Sequence, residues 1–173
     1  MKSELSITAS AESSADDFDF LIGTKWNIRS RKLNSRLTGC TEWTEGSALG
    51  ECRKILRGMA NIDSFKTEID GKEFEGMAVR LFNPKTLLWS IYWADNERVT
   101  FDPPQAGSFD GSIGDFLTRD VWNNSDVIVL FHWDKTDPNA PVWSQAFSTD
   151  EGETWEWNWY MYFTPAEKMV TAA

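Results

Sequence analysis

The sequence is poor in the residues that hold metals. It has a single histidine, His132, and only two cysteines, Cys40 and Cys52. With no H-x-H, C-x-x-C or calcium-loop spacing, no first shell can be assembled and no metal is expected. There is likewise no G-x-G-x-x-G stretch, phosphate loop or G-x-S-x-G elbow, so no nucleotide cofactor and no serine-hydrolase chemistry is expected. Positive charge is in deficit. The chain holds 17 Lys and Arg against 27 Asp and Glu, a net charge of −10, which argues against a nucleic-acid groove or an anionic membrane surface as partner. The opening residues lack the continuous apolar run of a signal peptide or membrane helix, so a cytoplasmic protein with reduced thiols is expected. Glu151, Glu153 and Glu156 crowd one turn, where solvation accounts for them, and they do not form a glycosidase pair.

Aromatic residues are abundant: they make up 14% of the chain and include 10 Trp. Near the C-terminus Trp155, Trp157, Trp159, Met161 and Phe163 recur at every second position, and in a strand that spacing aims all five at one face. Burying each contributes about 2–3 kcal/mol, so the face calls for a packed core or an apolar ligand opposite it. Just upstream, Ser148-Thr149-Asp150-Glu151-Gly152-Glu153-Thr154-Trp155 resembles the Asp-box hairpin of sialidases and related β-propellers. One copy in a single-domain chain excludes a propeller and leaves a structural hairpin.

The rest of the chain repeats short strand patterns between turn signals. Residues 1–15 are small and polar and are expected as a disordered tail, 16–165 as the folded domain, and 166–173 as a second tail. Asp16 and Asp17 suit the start of one helical turn that Gly23 ends, with Phe18, Leu21 and Ile22 as a plug. Strand patterns then cover a first strand through Trp26 and Ile28, and residues 38–44, 51–58, 62–69, 76–82, 87–94, 116–122, 127–133, 142–147 and 155–163. The six residues EGSALG at 45–50 read as a hairpin turn, which would bring Cys40 and Cys52 within conceivable disulfide reach, although reduced thiols are favoured. Pro103 and Pro104 exclude a central strand nearby, and 96–114 reads as a lid or a wide turn. The expected fold is therefore all-β: a single antiparallel up-and-down barrel of nine or ten strands, one end closed by the helical turn.

A family resemblance points the same way. Phe18-Asp19-Phe20-Leu21-Ile22-Gly23 followed by Trp26, with Trp143-Ser144-Gln145-Ala146-Phe147-Ser148 and Gly152-Glu153-Thr154-Trp155, resembles a family of bacterial calycin-like barrels of unknown function. More distantly, the glycine-then-tryptophan opening is similar to the lipocalins, where a short helix closes the barrel floor and a Trp on the first strand packs there. Both likenesses imply fold class.

Three functional readings follow. In the first, the barrel encloses a small apolar or aromatic molecule, with Tyr92, Trp143, Gln145, Trp157 and Trp159 as lining and Arg53 or Arg80 gripping an anionic group. In the second, a cofactor-free isomerase, cyclase or lyase uses His132, on the strand VIVLFHWD, as general acid or base. In the third, a filled barrel serves as an interaction module and dimerises through the doubly apolar strand at 87–94. Small-molecule ligand and homodimer are the partners these readings imply.

Overall fold

In the computed structural model, which describes residues 5–166, ten strands meander into a closed antiparallel barrel. They are β1 (Lys25–Leu33), β2 (Trp43–Ile55), β3 (Ala60–Ile69), β4 (Lys72–Asn83), β5 (Leu88–Asp95), β6 (Gln105–Asp110), β7 (Ile113–Trp122), β8 (Ser125–Asp134), β9 (Val142–Ser148) and β10 (Glu156–Pro165). Each strand pairs with its sequence neighbours, and β1 pairs with β10 to close the ring. Closure leaves no edge strand to template aggregation.

The end where β1 begins is a floor, and it is solid. A 3-10 turn at Asp19–Leu21 carries Phe18 and Leu21 into the barrel, where they are almost fully buried. Phe18 meets Trp89 and Phe109 edge to face, with ring centroids 5.0 and 5.1 Å away, the arrangement that ring quadrupoles favour. Trp26 donates its indole N–H to the Leu21 carbonyl at 3.2 Å, tying β1 to the turn. The segment expected as a tail up to Ala15 continues this floor: Ser13 is buried, and the Ser14 carbonyl accepts a hydrogen bond from the Trp89 indole at 3.2 Å. Of the segment expected as a C-terminal tail, 167–173 lie outside the described residues.

Two expected loops are strand. EGSALG does not turn, because β2 runs straight through it. The first half of β2 pairs with β1 and the second half with β3, so both ends of that stretch are held by ladder hydrogen bonds. Gly50 is a packing glycine: a Cβ there would lie 2.9 Å from Ile28 Cδ1. With no hairpin at Gly46, the imagined disulfide geometry disappears, and Cys40 and Cys52 are both free thiols. In the stretch 96–114, Gln105–Asp110 forms β6 and buries Phe109. Its Gly107 read as a loop signal, but it sits where β7 presses closest, since a Cβ would lie 1.8 Å from the Asp115 carbonyl oxygen. Pro103 and Pro104 stay outside any strand, as expected.

The Asp-box stretch forms the expected turn between β9 and β10. The Asp150 carboxylate accepts the Thr154 N–H at 2.9 Å, and the Ser148 hydroxyl accepts the Gly152 N–H at 2.8 Å. Gly152 adopts φ of 91°, a conformation that side chains disfavour. Hydrogen bonds from the Thr154 hydroxyl and N–H, and then from the Ser148 hydroxyl, hold the Asp150 carboxyl down to about 2.

Candidate functional site

Alternation along the strands decides what faces the lumen. Above the floor, β3 to β5 turn inward Asp63, Phe65, Phe74 and Trp93, while β8 to β10 turn inward Phe131, Trp143, Gln145 and Trp159. The two levels differ in packing. Floor aromatics such as Trp89, Phe109 and Phe116 are sealed at 0–2% exposure, whereas lumen-facing Phe74, Trp93, Phe131 and Trp159 keep accessible surface. These partly buried inward side chains pack against the sealed core, and Phe74, Trp93 and Trp159 lie toward the mouth, where β1 ends.

Each wall is held in place. Trp143 lies edge to face between Phe131 and Trp159, at 5.0 and 5.4 Å. Trp159 donates its indole N–H to the Ser30 hydroxyl at 2.8 Å, which fixes the ring. Gln145 donates to the Asn158 side-chain carbonyl at 2.8 Å. At the base, the Arg80 guanidinium is buried, ion-paired with Asp63 and hydrogen-bonded to Asn61 Oδ1 at 2.9 Å, and it covers the Phe18 ring at 4.8 Å. A buried arginine so paired avoids the cost of an isolated charge. Beside it, burial pushes the Cys52 thiol up to about 11, so Cys52 is no nucleophile at neutral pH.

The rim on the β8 to β10 side is cationic. The connection from β1 to β2 folds inward, and the Leu37 N–H donates to the Glu156 carboxylate at 2.8 Å. That places the Arg36 guanidinium over Trp122, Phe147 and Trp159, at 4.9, 5.2 and 5.8 Å from their centroids. Lys32 lies over the Trp159 ring at 4.6 Å. Desolvation lowers the pKa of both cations from their ordinary values; repulsion from Arg36 lowers that of Lys32 further, while the Glu156 carboxylate partly offsets the fall for Arg36. Two partly desolvated cations over aromatic faces attract a flat anionic group.

The residues expected to form one site divide by face. Arg80, Trp143, Gln145 and Trp159 point inward. Arg53 and Tyr92 lie on the outer wall; Tyr92 there stacks edge to face on Phe101 at 5.9 Å, and Trp93 takes the lumen position expected of Tyr92. Trp157 also turns outward, because the β9–β10 register shifts between Trp157 and Trp159. The bulge breaks the alternation that placed all the tryptophans together. His132 is on the outer wall as well: its Nδ1 lies 2.7 Å from Asp115 Oδ1, and its ring meets Trp157 edge to face at 5.6 Å. The Asp115 hydrogen bond raises the His132 pKa. As general acid or base of a lumen reaction, His132 is therefore misplaced.

Lys32 was missed, though it follows Trp26, Ile28 and Ser30 at every second position. Arg36 carries no local signal. Among the described residues no group of three His, Cys, Asp or Glu side chains could hold a metal ion, and no helix is long and apolar enough to cross a membrane.

No family model matches the chain, and no curated protein does. The fold has a counterpart among solved structures. The S-type phycobiliprotein lyase CPES from Guillardia theta superposes with a TM-score of 0.59 at 8% identity, covering 91% of this chain and 95% of that one. At that identity the likeness is one of fold: a calycin-like barrel.

Proposed function

We propose that the protein binds a small, flat, aromatic or conjugated molecule bearing an anionic group in the upper lumen of its barrel. Phe131, Trp143, Trp159, Trp93 and Phe74 supply contact faces, Lys32 and Arg36 draw the anion at the rim, and the Arg80–Asp63 pair forms a polar base. The observation that carries this reading is the residual exposure of inward-facing Phe74, Trp93, Phe131 and Trp159 above a sealed floor. The barrel likeness to a protein named as a phycobiliprotein lyase is compatible with such a container.

That name also keeps lyase-type turnover as an alternative, in which the lumen holds a reactive conformer. Of the side chains on the lumen side, Asp63, Glu156 and Lys32 are then groups able to move a proton, in place of His132.

Intrinsic Trp fluorescence titrated with naphthoate, indole carboxylates and longer conjugated acids tests the container. Saturable quenching is expected, weakened about tenfold by Lys32→Ala and abolished by Trp159→Ala. No saturable response to any of these acids, with native mass spectrometry detecting no complex, would overturn the reading. Chemical change in a bound acid would favour the lyase alternative.

A further inference from the structure

The outer wall carries a groove of about 620 Å³ over strands β2 to β5, closed on one side by the β5–β6 loop. Ile62, Met77 and Ala94 form its apolar floor, and Val99 and Phe101 its lip. This volume lies within the usual range of small-molecule sites. Outward alternation accounts for the lining: Arg53 pairs across the sheet with Ile62, Glu51 with Ser64, and Met77 with Ala94. These outward side chains place the groove on the outer face of the sheet, where the inward positions Cys52, Asp63 and Gly76 also border it.

The lip is built, and under strain. Val99 is 81% exposed and has φ of 50°, in the left-handed region that β-branched residues avoid. Arg98 maintains this conformation by bridging Asp95 at 2.8 Å and Asp102 at 2.7 Å, one carboxylate on each side of the bend. Phe101 is braced on Tyr92. The loop thus spends conformational strain to hold two apolar side chains above an apolar floor, an arrangement that favours a ligand shared between them.

Charge sets the class of that ligand. Arg53 is exposed at one edge of the groove and has no hydrogen-bonded or ion-paired side-chain partner among the described residues. Glu51, Asp63, Glu75 and Asp95 line the same groove; Asp63 and Asp95 are paired with Arg80 and Arg98, and the charge of Glu51 and Glu75 opposes a second carboxylate. We propose that this groove is a second binding site, distinct from the lumen, for a monocarboxylic acid with an apolar chain. Its carboxylate lies on the Arg53 guanidinium, and its chain lies over Ile62, Met77 and Ala94 beneath Phe101.

Methyl NMR of the full chain labelled at methionine, titrated with octanoate, tests the proposal. The Met77 methyl should shift saturably, with affinity falling about tenfold in Arg53→Gln and with octanol or suberate binding at least that much more weakly. Phe101→Ala should weaken binding several-fold, and Trp159→Ala should leave it unchanged, which separates this groove from the lumen. Octanoate binding that Arg53→Gln and Phe101→Ala leave intact would overturn the proposal. So would Met77 shifts that depend on protein concentration in the absence of octanoate, since a second copy would then cover the groove.

Discussion

The two ends of the barrel are built from the same kinds of residue and differ in what fills them. At the floor, the chain itself supplies the filling. Phe18 and Leu21 are pushed in by a one-turn helix, and Trp89, Phe109, Phe116 and Trp133 close around them. At the mouth no segment among the described residues enters to the same depth. Arg36 and Leu37 fold over one side, while Trp93 and Trp159 keep part of their surface exposed. An aromatic face thus serves stability where the chain covers it, and under the proposed function it serves recognition where the chain does not.

Truncation at the two levels should break the symmetry most plainly. Trp89→Ala removes a sealed side chain and is expected to cost about 3–5 kcal/mol, while Trp159→Ala, at a partly exposed position, is expected to cost about 1–2 kcal/mol. Urea denaturation measures both. Equal losses would mean that the barrel is as solid at the mouth as at the floor.

A smaller effect probes the hollow directly. A Cβ on Gly76 would lie 2.3 Å from the Trp93 indole, so Gly76→Ala must displace that ring. If the space beside it is open, the ring swings into it, and the cost stays near the low end of overpacking, about 1 kcal/mol. Lumen binding of an aromatic acid should fall sharply in the same variant, as read by fluorescence titration.

The smallest expected effect lies on the outer wall. The Asp115 hydrogen bond raises the His132 pKa above its ordinary value near 6.5. Its stabilisation is therefore fully present below about 6.5 and is lost as pH rises through the folded-state pKa. Stability measured across that window should decline in the native chain, and Asp115→Asn should flatten the decline. His132→Gln should leave lumen binding unchanged, because the imidazole faces away from it.

Much of the architecture was legible in the sequence because strand and turn signals are local. The plug at Phe18 and Leu21, the hairpin at Asp150 and the antiparallel order all follow from short-range patterns. What escaped depends on contacts distant in sequence. Gly50 and Gly107 read as turn residues, yet each serves the close approach of a neighbouring element. For β5 the sequence showed that Trp89, Ile91 and Trp93 share one face, but not that this face is the inner one. Arg36 reaches the site only because Glu156, far along the chain, holds its loop.

The register shift between Trp157 and Trp159 has a meaning beyond the direction of one side chain. In a closed barrel, strand number and total stagger together fix the diameter. The extra residue at Asn158, fully buried and hydrogen-bonded to Gln145, contributes to that stagger. Deleting it would change the shear as well as turn Trp157 inward. The bore of the barrel, and so the girth of any molecule it admits, is tied to a single asparagine in the last strand.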